Sequence, residues 1–540
     1  MAEGDGGVRQ VVSEAGEGAG GATRPADLPV FLLRAFLERN ARERGDAEAL
    51  VTEDARYSHA ALLAEARVVA RGMLALGLQR GDHVGVLTGN DDFWVKVFYG
   101  AALIGCVTVP VNTRFKAAEI GFALKQGDCR ALFLRGEFLK IDFAAAVAEV
   151  RGELPLLRHV VQLERDWPLA ALADEAALDA AMAQVTPDDP LLIQFTSGTT
   201  AYPKGVLLSH TNMLRNAWAC APRLGIVAED RYLNCRPFFH VAGSTLSLLV
   251  CLVTGACMVT PPTFEAGAAL RLLERERCTA TSGNDSIFQM LMAHPDFDRS
   301  RLHLRKGWAA AGPKVMHSIM RDVGIETLCW AYGLSEASPN VVLSDWREPA
   351  ELRAAGRART HEGVEVCVAD AESNAPLPAG TAGEIQVRGW SVTRGYYNNP
   401  EATAKAFTPD GWLKTGDLGT LDAGGYLSMV GRFKDVIRVG GENVAPAEVE
   451  EVLLHHPAVN MAQVVGVPDA RLGEVCAAFV QLKAPATEAE LLSWLKPRVA
   501  NFRMPRHLRI VPDFEAIGMT ASGKVQKVKL REHALGVLPL

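Results

Sequence analysis

From His83 to Arg135 the chain alternates short, almost wholly apolar runs with stretches patterned for helix. HVGVLTGN, CVTVPVN and CRALFLR read as strands, and FWVKVFYGAALIG and AAEIGFALKQG as the helices between them. A strand that is apolar throughout leaves no face for water, which predicts a parallel sheet covered by helices on both sides. At 540 residues the chain is too long for one core, so it divides into two or more domains. Between about residues 350 and 430 the pattern shifts to short strands and Gly-rich turns, GVEVCVAD, GEIQVRG and GYLSMVGR, which predict a small β-rich subdomain. After Arg432 comes another pattern. Pro446 opens a helix with Val449, Val452 and Leu453 on one face, AQVVGV and EVCAAFVQL read as strands, and Thr487 with Glu490 forms a capping box. That predicts a separate α+β domain whose boundary falls near Arg432–Lys434.

Hydrophobic residues make up 49% of the chain and charged residues 22%, as in ordinary soluble proteins. A net charge of −7 gives no electrostatic reason to expect a nucleic-acid partner. The ten cysteines are scattered, without a CxxC pair, which argues against zinc or disulfides and for a reducing, cytoplasmic location. The first 26 residues are rich in Gly, Ala and Glu and lack an apolar core, so they read as a disordered tail, not a signal peptide. The longest apolar run, Thr245 to Thr260, has 16 residues and contains Gly255. A span needs ~20 apolar residues, so this run reads as a buried helix leading into a strand, with no membrane span.

Between LLIQFT and VLLSH, both read as strands, lies SGTTAYPKG. Successive backbone amides in such a turn, with the hydroxyls of Thr196, Ser197, Thr199 and Thr200 around Gly198, suit a polyphosphate. Lys204 adds a mobile point charge. Taken alone, such a loop is more commonly a solvated Ser/Thr/Gly turn. A Walker A loop is excluded, because Pro203 precedes Lys204 and Gly205 follows it.

The full string TSGTT-x-x-PKG resembles the phosphate loop of the acyl-adenylating enzymes, the family of acyl-CoA synthetases, luciferases and peptide-synthetase adenylation domains. Four more stretches follow in that family's order. WAYGLSEAS resembles its YGxTE stretch, which implies Tyr332 stacked on adenine, Ser335 near the α-phosphate and Glu336 holding Mg²⁺ through oxygen. Just upstream, AAAGPK stands where Ala311 and Gly312 would border the adenine. WLKTGDLG resembles the TGD motif, in which Asp417 would accept hydrogen bonds from the ribose hydroxyls. GRFKDVIRVGGENVAPAEVE is the most specific match: Arg432 would contact the ribose, Lys434 would be the hinge, and Gly440 and Gly441 would border the coenzyme A tunnel. GMTASGKVQK resembles PKTxSGKIxR, which makes Lys524 the lysine that bridges carboxylate and α-phosphate. Each motif alone has a bland reading, such as a core aromatic, a plain turn or a solvated lysine. Five in order, spread from 194 to 527, cover nearly the whole chain.

The resemblance implies an α/β fold with a disordered tail over 1–26 and a large N-terminal adenylation domain over 27–431, built of two parallel-sheet α/β layers and the β-rich subdomain. A small mobile α+β lid domain over 432–540 would turn at Lys434. It also implies an acid–CoA ligase that uses ATP, Mg²⁺ and coenzyme A as co-substrate, with Lys524, Glu336 and Lys204 as catalytic groups. Attack of a carboxylate on the α-phosphorus would release pyrophosphate and leave an acyl-adenylate, from which the coenzyme A thiol takes the acyl group. RPFFHVAGSTLSLL resembles the stretch whose histidine gates the acyl pocket. His240 takes that role beside Phe239, with a satisfied core histidine as the rival reading. The apolar surroundings favour a hydrophobic acid, fatty, alicyclic, aryl or steroid-derived, while Asn284 and Asp285 bring polarity close to where it should lie. The family pattern is broken at Ala201 and Tyr202, at Gly518-Met519 and at Arg503. If position 201 needs a positive φ, alanine costs ~1 kcal/mol there. Two alternatives stand beside the ligase: an enzyme that loads a separate carrier protein, and a non-catalytic nucleotide-binding protein. A homodimer is left open as the one protein partner.

Overall fold

A computed structural model of the chain describes residues 28–169, 171–196, 203–520 and 523–539. The loop residues Ser197, Gly198, Thr199, Thr200, Ala201 and Tyr202 lie outside the described residues, as does the segment 1–27. A six-stranded sheet runs in the order Lys204–Ser209, Pro190–Thr196, Val107–Pro110, His83–Leu87, Cys129–Leu134, His159–Gln162. All its pairings are parallel except the edge hairpin formed by the first two. Every residue of His83–Leu87 is buried, which is why its sequence carries no polar alternation. Val84 and Val86 enter one core and Leu87 another on the opposite face.

An eight-stranded sheet runs Asn340–Leu343, Thr327–Gly333, Lys306–Ala310, Ala280–Asn284, Arg231–Leu233, Cys257–Val259, Glu48–Val51, Arg56–Ser58. It is parallel except at its two edges. The helix Asp92–Leu103 is buried from Phe93 to its end, and one core joins it to Val84 and Phe133 of the first sheet and to Tyr232 and Met258 of the second. A helix apolar all round is what a layer between two sheets requires. The apolar run at 245–260 is helical to Thr254, including a π-helical stretch Ser244–Leu249. Gly255 then takes a left-handed φ of 76° and the strand Cys257–Val259 follows.

The segment from 357 to 432 forms a five-stranded antiparallel sheet, Arg357–Ala358, Leu427–Arg432, Leu413–Leu421, Gly383–Gly389, Val364–Ala369. Only the turn Phe433–Asp435 and Val436 separate its Leu427–Arg432 strand from the next sheet, which begins at Ile437. The C-terminal sheet is built on the hairpin Val459–Asp469 and Gly473–Leu482 and has cores of its own on both faces.

Candidate active site

Gly416, at a φ of 69°, and two register shifts bend the strand Leu413–Leu421 where Asp417 leaves it. Asp417 stands opposite Arg432 across the ladder, and Arg432 Nε lies 3.2 Å from Asp417 Oδ1. Tyr332, at the end of Thr327–Gly333, donates its phenol to Asp417 Oδ2 at 2.7 Å. The carboxylate is 3% exposed, and Oδ1 receives no hydrogen bond within the described residues despite its ion pair. Burial raises the Asp417 carboxyl above its ordinary range, and Arg432, Lys524 and Lys434 pull it back. A buried acceptor paired with one cation and in the field of two more is suited to a diol attached to an anion.

Four residues beyond Tyr332, Glu336 sits in the turn Ser335–Ala337, where its Oε1 accepts the Tyr396 hydroxyl at 2.8 Å. Lys204 Nζ lies 4.9 Å from the centre of the Tyr396 ring. Thr196 pairs with Lys204 across the edge hairpin, so the hydroxyl-rich loop springs from a fixed pair of strand ends beside Glu336. The segment 330–338 thus carries one residue to the Asp417 cluster and another to the Lys204 cluster. Ser335 opens the turn between them.

Lys524 comes from the C-terminal part. Its loop is closed by Thr520 N–H donating to the Lys524 carbonyl at 2.8 Å and by Lys524 N–H donating to Thr520 Oγ1 at 2.9 Å. Gly523 packs so close to the larger part that a Cβ on it would stand 3.6 Å from Ser286 Cβ and 3.7 Å from the Asn284 amide. The lysine keeps contact with water but is crowded by protein. That crowding lowers its ammonium pKa, Arg432 and Lys434 add to the effect, and Asp417 and Asp435 oppose it.

Phe239 offers its carbonyl to Gln194 Nε2 at 2.8 Å, which ties the 236–240 segment to the strand that leads into the loop. His240 Nδ1 accepts from Ala242 N–H at 3.1 Å. Its pKa is pushed down to about 4 by burial, then by the charges of Arg236 and Lys524. The ring is therefore neutral at pH ~7, with its proton on Nε2, where it is a donor. Asn284 caps the helix Asp285–Ala293, accepting from Ile287 N–H at 3.0 Å. Asp285 turns the other way: its Oδ1 accepts from Gly312 N–H at 3.1 Å, and burial pushes its pKa up to about 6. Ala311 is buried beside it. Gly440 and Gly441, at φ of 59° and 92°, make the turn between Ile437–Val439 and Glu442–Val444 on the C-terminal part.

Tyr396 belongs to this site although sequence reasoning passed over it, since GYYNNP reads only as a turn. Glu451, whose Oε1 accepts from Lys314 N–H at 3.2 Å, also joins the two parts, and nothing in its sequence neighbourhood marks it.

Residues 37–397 match the family described as AMP-binding enzyme, and residues 448–524 match the AMP-binding enzyme C-terminal domain. A ligase of Mycobacterium tuberculosis, named for coupling a methyl-dioxo-octahydroindenyl propanoyl group to CoA, is 38% identical over 92% of this chain and 98% of its own. A Bacillus subtilis protein called putative acyl-CoA synthetase YngI is 35% identical over 95% of this chain and 99% of its own. Among solved structures, the anthranilate CoA ligase AuaEII in complex with anthranoyl-AMP superposes with a TM-score of 0.84. It is 26% identical and is covered over 96% of this chain and 100% of that one.

Proposed function

The chain belongs to the AMP-binding enzyme family, and on that premise we propose that it is an ATP-dependent acid–CoA ligase acting on a hydrophobic carboxylic acid through an acyl-adenylate. The observation that carries this reading is that Tyr332 and Arg432 contact Asp417 while the charges of Lys434 and Lys524 act on it, from positions up to 192 apart (524 minus 332). In this reading Asp417 Oδ1 grips the ribose, and Tyr332 holds the carboxylate in place while its ring borders the base. Lys524 reaches the substrate carboxylate and the α-phosphate, where negative charge accumulates as the carboxylate attacks and pyrophosphate departs. This role needs Lys524 as the ammonium, which Asp417 and Asp435 favour against the burial that lowers its pKa.

Lys204 and the loop of Thr196, Ser197, Gly198, Thr199 and Thr200 hold the β- and γ-phosphates. Among the described residues no group of three or more His, Cys, Asp or Glu gathers to cage a metal. One carboxylate plus phosphate oxygens is nonetheless a usual Mg²⁺ environment, and Glu336, with one oxygen fixed by Tyr396, fits it. A magnesium ion there would screen the triphosphate charge. Neutral His240, with its N–H on Nε2, closes the acyl side and admits the reacting carboxylate. After adenylation the C-terminal part turns about Lys434, withdraws Lys524 and brings Gly440 and Gly441 forward to admit the pantetheine arm. The acid is taken to be fatty, alicyclic, aryl or steroid-derived, in line with the apolar surroundings of His240.

Acid-dependent ATP–pyrophosphate exchange tests the first half-reaction, and AMP release with free CoA or with a carrier protein tests the second. Lys524→Ala is expected to lower exchange by about 100-fold or more while AMP binding persists. Exchange that survives the substitution would remove Lys524 from the mechanism.

A further inference from the structure

Arg236 is 6% exposed, yet its Nε and Nη2 have no acceptor, and among the described residues no carboxylate lies within ion-pair range. Its guanidinium stacks on Trp308, with Cζ 4.4 Å from the ring centre, which returns only part of what desolvation costs. Burial brings its pKa down to about 10, so it remains a cation at neutral pH. The Trp308 indole N–H is also unmet among the described residues. These orphaned atoms are all hydrogen-bond donors, so what they lack is a group rich in acceptors.

Nε and Nη2 form one edge of a guanidinium. In this protein Arg80, Arg165, Arg321, Arg347 and Arg388 each present that same edge to a carboxylate, with both oxygens engaged. Arg236 presents it to nothing. Arg236 precedes His240 by four residues, and its stacking partner Trp308 lies on the strand that leads to Ala311, beside the strand that ends at Asn284. The unpaired guanidinium therefore sits on the acyl side of the site.

We propose that Arg236 anchors a second carboxylate at the far end of the acyl substrate, so that the preferred acid is a dicarboxylic one whose other end is adenylated. This rests on the ligase reading. A ketone oxygen would accept one hydrogen bond and leave the cation uncompensated, whereas a carboxylate fills the edge and neutralises it.

The test compares, by ATP–pyrophosphate exchange, a homologous series of α,ω-dicarboxylic acids with their monomethyl esters and with keto acids of matching length. For the wild type, kcat/KM for the best diacid is expected to exceed that for its monoester by at least ~10-fold. Arg236→Met should lower the diacid value by about 100-fold and leave the monoester within about threefold. Arg236→Lys, which keeps the charge but not the edge, should fall between. A wild type that prefers the ester or the keto acid overturns the proposal, and this outcome needs no variant to fold. An equal loss for every acid in Arg236→Met also overturns it. Calorimetric titration of the diacid with AMP present reads the same contact without turnover. Exchange with none of the acids would count against the ligase reading, while diacid binding lost in Arg236→Met would still support the anchor.

Discussion

At the scale of single residues, the polar atoms best explained by a ligand are those that burial has left without partners. Glu336 differs, because Tyr396 already fixes one of its oxygens at 2.8 Å. Such an outer partner orients a metal-binding carboxylate, and losing one typically costs ten- to a hundredfold in metal affinity. Tyr396→Phe keeps the ring under Lys204 and removes only the donor. It is expected to raise the KM for Mg·ATP by about tenfold and leave that for the acid unchanged, as measured by steady-state kinetics under magnesium titration. An unchanged nucleotide KM would mean that Tyr396 does not orient Glu336. Residues lying in strings with a defined chemistry, such as Glu336, Asp417 and Lys524, were legible in the sequence. Tyr396 was not, because a tyrosine in a Gly/Asn turn declares nothing until folding brings it from 60 positions away. Arg236 stood in a string read for its Phe and His, and its lack of a partner is a property of the packed core alone.

At the scale of elements, the strands HVGVL and CRALFL were legible because burial on both faces leaves a continuous apolar signature. The strand Gly473–Leu482 shows the same signature for a different reason: in an antiparallel hairpin it sends Cys476, Ala478 and Val480 into one core and Val475, Ala477 and Phe479 into another. The TGD stretch read as a motif in a turn, and it proves to be a bent strand whose distortion aims Asp417. The helix Asp285–Ala293 carries a consequence for pH. Folding pushes the Asp285 carboxyl up to about 6, through burial and then the neighbouring Glu451 and Glu450, against the Gly312 N–H. The folded state therefore holds that proton more tightly than the unfolded chain does. The resulting stability is fully present below about pH 4 and fades as pH rises through about 6. Asp285→Asn can still accept from Gly312 and carries no charge. It is expected to stabilise the protein by about 1 kcal/mol at pH ~8, since the group is partly solvated, and to have little effect at pH ~4. Thermal unfolding at the two pH values checks this, and an equal shift at both would exclude titration as the cause.

At the scale of the whole molecule, the charge of Lys524 acts on Asp417 only because the C-terminal part is docked in one orientation. That part has its own cores, and the chain crosses into it through Phe433–Val436. Among the contacts that hold it are polar, local ones: Gln289 Nε2 donates to the Asn460 carbonyl at 2.9 Å, Lys314 N–H donates to Glu451 at 3.2 Å, and Gly523 lies close to Asn284 and Ser286. None was legible in the sequence, because the two hydrogen bonds join positions 171 and 137 apart and a lone Gln or Glu names no partner. Polar interfaces of this kind leave relative motion open, and a two-position lid requires that neither position be held too firmly. Each contact then biases the equilibrium by its own small free energy. Glu451→Ala combined with Gln289→Ala removes two of them and should shift the population away from the docked state by about 2 kcal/mol. ATP–pyrophosphate exchange should fall by about tenfold or more, while thioester formation from supplied acyl-adenylate and CoA holds steady or speeds up. If both half-reactions slow together, these contacts serve stability and do not select the adenylating position. If only the first slows, docking and withdrawal of Lys524 are separate states of one lid, and the sparse polar contacts are what keep both accessible.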